Sequence, residues 1–299
     1  MAMISETDKK IIIIYHGNCY DGVTAAYIAW LRFKDSAEYL PFNYSDAPPE
    51  VKDKEIYIVD FSFKRDVIKH LQEYNLVTVL DHHKTAQAEL EGLPGVVFDM
   101  ERSGAGITWD YFFGDNDNVN LRSYNRPELV NYIEDRDLWR FKLPHSRLVN
   151  AWIQSYDIDL EVWKNEVAPQ MANRSLDGII SEGGSLLRQQ SKLVKSICYN
   201  ASLARTPGEG KYIGPYVETS ILMSEVCEQM LADYPEYPFS WYSFVRRDGK
   251  RQYGLRSRST ENFDVSVIAK EYGGGGHRNA AGFELEVGST MQAAPKVIV

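Results

Sequence analysis

Three cysteines in 299 residues (Cys19, Cys198 and Cys227) are too few and too scattered for a disulfide framework or a zinc knuckle. They read as reduced thiols. No stretch approaches the roughly 20 apolar residues that a membrane span needs, and residues 1–10 are polar and lack the apolar core of a leader. The expectation is a cytoplasmic protein with no membrane partner. Positive charge is also short: 33 Lys and Arg face 42 Asp and Glu, a net charge of −9. A protein that tracks long nucleic acid carries a basic surface, because phosphate neutralisation dominates its affinity. The acidic balance argues against long duplex DNA as a partner. The exception is Arg246, Arg247, Lys250, Arg251, Arg256 and Arg258, opposed within their own segment by Asp248. Such a local cluster suits a small anionic ligand better than a duplex.

What is present is a full core, 44% apolar, arranged in alternation. Strand-forming runs at 11–15, 56–60, 76–80 and 96–98 are separated by helix-like segments at 23–33 and 64–74, with helices at 104–113 and 127–138 after them. Strand–helix alternation predicts a parallel sheet covered on both faces. Residues 157–199 lack strand signals, and Leu186, Leu187, Leu193, Val194 and Ile197 recur at helical spacing. A long helix there predicts a boundary: a first domain over 1–185, a helical linker over 186–200 and a smaller α/β domain over 201–299. In the last part, strands are predicted near 211–217, 239–246, 251–256 and 281–287, with helices near 219–233 and 264–272.

Three of the early strands end in acid or imidazole. Ile11-Ile12-Ile13-Ile14-Tyr15 stops at His16, with Asp21 close behind. Ile56-Tyr57-Ile58-Val59 stops at Asp60. Leu76-Val77-Thr78-Val79-Leu80 stops at Asp81-His82-His83. Open α/β sheets build their sites at the C-terminal edge of the strands. Convergent carboxylates repel unless a dication joins them, and mixed Asp/His ligands suit Mn²⁺, Fe²⁺, Co²⁺ or Zn²⁺ better than Mg²⁺ or Ca²⁺. The pair Asp135/Asp137 is a further candidate; Asp135 is preferred, because Asp137 can instead pair with Arg136 or Arg140 on a helix surface. His70 and His145 lie away from the strand ends and read as ordinary histidines. Ser103-Gly104-Ala105-Gly106 reads as a helix start rather than a phosphate-binding turn.

The run Gly273-Gly274-Gly275-Gly276-His277-Arg278 is expected to be neither helix nor strand interior. It predicts a loop whose free N–H groups cradle an anion. Tyr212, Tyr216, Tyr242 and Tyr253 could stack a base or be ordinary strand aromatics.

Taken together these motifs resemble the DHH phosphoesterases, which include RecJ exonucleases, nanoRNases, cyclic dinucleotide phosphodiesterases and manganese-dependent pyrophosphatases. His16-Gly17-Asn18-Cys19-Tyr20-Asp21-Gly22 resembles the first motif, Val59-Asp60-Phe61-Ser62 the second, Asp81-His82-His83 the third and Ile133-Glu134-Asp135 the fourth. The glycine run with His277 resembles the signature of the associated C-terminal domain. The resemblance implies two Mn²⁺ ions held by His16, Asp21, Asp60, His82 and Asp135, with Asp60 bridging. It implies that His83 contacts a phosphate oxygen and that Asp81 orients the histidines. It also implies substrate binding by Arg256, Ser257, Gly274, Gly275, Gly276, His277 and Arg278. One departure stands out: Asn18 lies where many relatives carry a carboxylate, which puts the second ion in doubt.

The implied activity is a metal-dependent phosphodiesterase acting on short oligoribonucleotides, linear or cyclic dinucleotides, or 3′-phosphoadenosine 5′-phosphate. Two alternatives stay open: an exopolyphosphatase or pyrophosphatase, and a nucleotide-binding module that has lost catalysis. A monomer and a homodimer are equally compatible with the sequence.

Overall fold

The computed structural model describes residues 10–44, 46–114, 125–260 and 262–287; most of the polar opening segment lies outside them. The chain divides into two compact units, Met1–Leu187 and Arg188–Val299.

In the first unit, β1 (Ile11–His16), β2 (Ala37–Phe42), β3 (Glu55–Val59), β4 (Leu76–Asp81) and β5 (Val96–Phe98) form one sheet in the order β2-β1-β3-β4-β5. Every pairing is parallel. Successive side chains of a strand point to opposite faces. Ile13, Tyr15, Tyr57 and Val59 enter one core, which is closed by α1 (Tyr20–Phe33), α4 (Gly104–Phe113), α5 (Glu128–Asp137) and α6 (Ser146–Ile153). Ile12, Ile14, Ile56 and Ile58 enter the other, closed by α2 (Arg65–Tyr74) and α3 (Lys84–Leu90). Double burial is why β1 reads as four isoleucines in a row rather than as an alternating pattern.

β2 was not foreseen. Glu38 and Pro41 interrupt its apolar pattern, as an edge strand tolerates. Its presence gives the sheet a reversal of strand order between β1 and β3, the place where open α/β sheets open a crevice. A helical segment follows α6: α7 (Leu160–Val162), a π turn over Trp163–Val167, and α8 (Ala168–Asn173). The boundary between the units falls within the long helix α9 (Leu176–Cys198).

The second unit is a six-stranded sheet in the order β10-β11-β9-β8-β7-β6. Its strands are β6 (Ser202–Arg205), β7 (Ile213–Glu218), β8 (Phe239–Val245), β9 (Lys250–Ser257), β10 (Gly275–Gly276) and β11 (Ala280–Glu286). All pairs are antiparallel except β7 with β8. Two helices cover it, α10 (Met223–Asp233) through Val226, Cys227 and Met230, and α11 (Val265–Glu271) through Val265, Ile268 and Ala269. Among the described residues no helix is long and apolar enough to cross a membrane.

Candidate metal centre

Strand register assembles the site in the first unit. Tyr15 lies opposite Val59, and Val59 opposite Leu80, so the next residues, His16, Asp60 and Asp81, emerge side by side at the C-terminal edge. Asp60 leaves β3 with φ 54°, a left-handed conformation unusual for a residue with a side chain. Its N–H donates to Leu80 O at 2.9 Å, which fixes the turn. Gly104, the first residue of α4, packs directly on it: a Cβ there would lie 2.4 Å from Asp60 Cβ. The start of α4 is thereby brought onto the carboxylates, with Ser103 capping it and Ala105 N donating to Asp21 Oδ1 at 3.2 Å. Ser103-Gly104-Ala105-Gly106 is the helix start it was read as, and it packs on the acids Asp21 and Asp60.

Three carboxylates converge on one imidazole. His82 Nε2 lies 3.2 Å from Asp60 Oδ1, 3.6 Å from Asp137 Oδ2 and 3.8 Å from Asp21 Oδ2. The second oxygen of Asp60 faces His16, with Oδ2 3.6 Å from Nδ1. Asp21 Oδ2 and Asp60 Oδ2 are buried and accept no hydrogen bond. Buried, unsatisfied carboxylate oxygens are costly, and a dication satisfies them. Three groups with donor atoms within 4.8 Å of one another share Asp60: His16, Cys19 and Asp60 on one side, Asp21, Asp60 and His82 on the other, and Asp60 with Asp81 and His83. The residues therefore fit divalent cations.

The electrostatics agree. Burial, with the neighbouring charges of Asp60 and Asp137, pushes the Asp21 carboxyl well above its ordinary value. Burial also raises Asp137. Burial alone would raise Asp60 too, yet His16 and His82 hold it well below its usual range. Burial opposes charge on His82, but its bond to Asp60 and the charges of Asp137 and Asp21 raise it to about 10. Burial and the same three carboxylates raise the Cys19 thiol.

Asp81 is fully buried and anchors the strand end. Its Oδ1 receives His82 N at 2.7 Å, His83 N at 3.2 Å and His83 Nδ1 at 2.7 Å, and Oδ2 receives Ser62 Oγ at 2.6 Å. Burial disfavours its charge, but His83, His82 and Ser62 keep its carboxyl down at about 2.

One residue of the expected set changes. Asp137 holds the place anticipated for Asp135. Asp135 instead accepts Lys142 N at 2.9 Å and Leu143 N at 3.2 Å, closing the turn after α5. Helical periodicity carried the signal: Val130, Ile133 and Asp137 are spaced i, i+3, i+7, and the first two face the core. Glu134, next to it, pairs with Arg102 and Arg126. Sequence reasoning also passed over Ser62, Cys19 and Tyr44. Tyr44 is 63% exposed and meets the His16 ring edge-on at 5.4 Å. None of these has a strand-end signature.

The second unit groups its expected residues at one end of its sheet, where Ala280 pairs with Arg256, Ser257 N donates to Asn279 O and His277 N donates to Ala280 O. The glycine run is not the expected loop. Gly273 has φ 78°, its N–H donates to Lys270 O, and Gly274 N donates to Ala269 O, the two bonds that close a helix C-terminus in a Schellman motif. Gly275 and Gly276 form β10. A Cβ on Gly274 would lie 2.1 Å from Gly282 O, so bareness here serves backbone packing. The N–H groups of Gly273 and Gly274 are committed within the fold.

Arg256 binds Ser224 Oγ at 3.1 Å through Nη2 and Leu255 O at 2.9 Å through Nη1. Ser257 Oγ donates to Phe263 O at 3.0 Å, and Arg278 bonds Asn262. The basic cluster is answered by distant acids: Arg246 and Lys250 pair with Glu284, and Arg251 pairs with Glu218. Arg258 bonds backbone carbonyls of Tyr237 and Leu231. Tyr216, Tyr242 and Tyr253 are buried strand aromatics, and Tyr212, just before β7, bonds Glu271.

Residues 209–298 match the DHHA1 domain. An uncharacterized protein of Acanthamoeba polyphaga mimivirus is 31% identical over 301 residues, covering 93% of this chain and 68% of that protein. Among solved structures, a pGpG-specific phosphodiesterase of Vibrio cholerae superposes with a TM-score of 0.50 at 12% identity, over 93% of this chain and 94% of that one. RecJ of Thermus thermophilus in complex with Mn²⁺ gives a TM-score of 0.50 at 15% identity, over 93% of this chain and 50% of that one. This chain thus spans half the length of that RecJ. The two structures share its fold.

Proposed function

Since this chain belongs to the DHH phosphoesterase superfamily and carries a C-terminal DHHA1 domain, we propose that it is a Mn²⁺-dependent phosphodiesterase that cleaves short nucleotides with an activated water. The observation that carries this reading is the orientation of Asp60, whose two oxygens face His82 on one side and His16 on the other. A carboxylate so placed would hold a cation on either side. Asp21, His82 and Asp137 would complete one position, and His16 the other. A bound cation pair at such a site supplies a water of lowered pKa and a Lewis acid for the phosphoryl oxygen.

The remaining work falls to the chain. Asp81 holds His83 through Nδ1 at 2.7 Å, which fixes the ring and its tautomer. Burial opposes charge on His83, but Asp81 raises its pKa, which favours an N–H that can donate to a phosphate oxygen as charge develops. In the second unit, the end of the sheet that carries Arg256, Ser257 and His277 is the proposed substrate-binding end. Because Arg251 is paired with Glu218, and Arg246 and Lys250 with Glu284, much of the basic cluster is compensated, whereas polyphosphate demands dense free charge. A small nucleotide is the better match, handled in a reducing cytoplasm by a monomer or homodimer.

The test is hydrolysis by the metal-stripped protein, with and without Mn²⁺, of a linear dinucleotide, a longer RNA, 3′-phosphoadenosine 5′-phosphate, cyclic dinucleotides and pyrophosphate. Mn²⁺-dependent cleavage fastest on a short nucleotide is expected. Faster cleavage of pyrophosphate makes the protein a pyrophosphatase, and nucleotide binding without turnover makes it a binding module.

A further inference from the structure

We propose that the Cys19 thiolate is a ligand of the cation on the His16 side of Asp60, giving that position a nitrogen, oxygen and sulfur donor set; this rests on the metal-site reading above. His16, Cys19 and Asp60 each offer a donor atom, and these lie within 4.8 Å of one another. The side chain of Asp60 is 1% exposed, and its Oδ2, the oxygen nearer His16, accepts no hydrogen bond. A cation there has an imidazole nitrogen, a carboxylate oxygen and a sulfur within reach. Cys19 is held in place as the residue that caps α1, with Val23 N bonded to its carbonyl at 3.0 Å.

This answers the departure in the first motif. Asn18, which stands where a carboxylate is expected, is exposed, with φ 54°. A neutral amide supplies no charge, whereas a thiolate one residue later restores the missing negative donor. On binding, the S–H bond is replaced by a metal–sulfur bond and the proton passes to solvent, with no change of oxidation state. Sulfur is a softer donor than carboxylate and favours Zn²⁺, Co²⁺ and Fe²⁺ over Mn²⁺ and Mg²⁺. The two cation positions therefore differ: the Asp21/His82/Asp137 side is hard, and the His16/Cys19 side is softer.

Cobalt reads this directly. Co²⁺ added to the metal-stripped full-length protein should give a near-ultraviolet sulfur-to-cobalt charge-transfer band. The band should vanish in Cys19→Ser and persist in Cys198→Ser. Zn²⁺ affinity should fall by about 10- to 100-fold in Cys19→Ser, with a smaller change for Mn²⁺. Cobalt bound with its d–d bands but no charge-transfer band overturns the Cys19 assignment and leaves the metal centre standing. No cobalt bound at all overturns the metal reading itself. If Cys19→Ser does not fold, alkylation mapped by peptide on the wild type decides. Zn²⁺ should protect Cys19 and leave Cys198 as reactive as before; unchanged alkylation of Cys19 refutes the proposal.

Discussion

Replacing Gly104 with alanine sets two effects of opposite sign against each other. Alanine is the better helix former by about 1 kcal/mol, and Gly104 does not have a positive φ, so propensity alone predicts a more stable protein. Sterics predict the reverse. The new Cβ would lie 2.4 Å from Asp60 Cβ and 2.7 Å from its Cα and Oδ1, where ordinary contact begins at 3.4 Å, so Asp60 or α4 must move by about 1 Å. Neither yields easily. Asp60 is tied to Leu80 O and sits in a left-handed backbone conformation, and α4 is held by its buried Ala105, Ile107 and Trp109. Overpacking of this kind costs about 1–3 kcal/mol, which outweighs the propensity. A displacement near 1 Å at a catalytic carboxylate costs about 100-fold in rate. Gly104→Ala should therefore lower the thermal midpoint and reduce kcat/KM by about two orders of magnitude, measured by calorimetry and by Mn²⁺-dependent hydrolysis. A variant at least as stable as the wild type, with undiminished turnover, refutes the packing argument.

Asp137→Asn should reduce bound Mn²⁺ and turnover together, whereas Asp135→Ala should cost about 1.5–3 kcal/mol of stability and leave metal content unchanged; the opposite pattern in metal analysis would restore Asp135 as the ligand. In α9, Gly184→Ala meets nothing within 4 Å and should stabilise by about 1 kcal/mol, while Gly183→Ala, whose Cβ falls 2.0 Å from Leu148 O, should destabilise; equal midpoints in chemical unfolding would contradict this. Burial raises the Cys227 thiol from 9.0 to about 11. The unfolded chain releases that proton first, so the contribution is whole below pH 9.0 and is lost as pH rises toward about 11. At about 1.4 kcal/mol per unit this is on the order of 3 kcal/mol. Cys227→Ala should flatten the alkaline decline of stability, and identical slopes would refute the assignment.

The fold was legible where one physical cause dominated. Doubly buried strands produce uninterrupted apolar runs, so β1, β3 and β4 and the acids at their ends could be read directly. β2 escaped because an edge strand carries Glu38 and Pro41. Asp60 and His82 were identifiable because each directly follows a strand end, and Asp21 because it opens the helix after β1, while Asp135 and Asp137 differ only in helical phase, which the core-facing Val130 and Ile133 set. The glycine run misled because conformational freedom has several uses. Here it closes α11 and lets β10 lie against β11. The basic cluster looked opposed by Asp248 alone because its other acids, Glu218 and Glu284, are far away in sequence and adjacent only in the sheet.

The most direct measurement is a Mn²⁺ titration of the metal-stripped protein that follows bound metal and dinucleotide hydrolysis in the same sample, for the wild type and for Asp60→Asn. Turnover should rise in step with bound Mn²⁺ in the wild type, and Asp60→Asn should lose both. Hydrolysis without metal, or an Asp60→Asn protein that binds Mn²⁺ and turns over normally, would contradict the account.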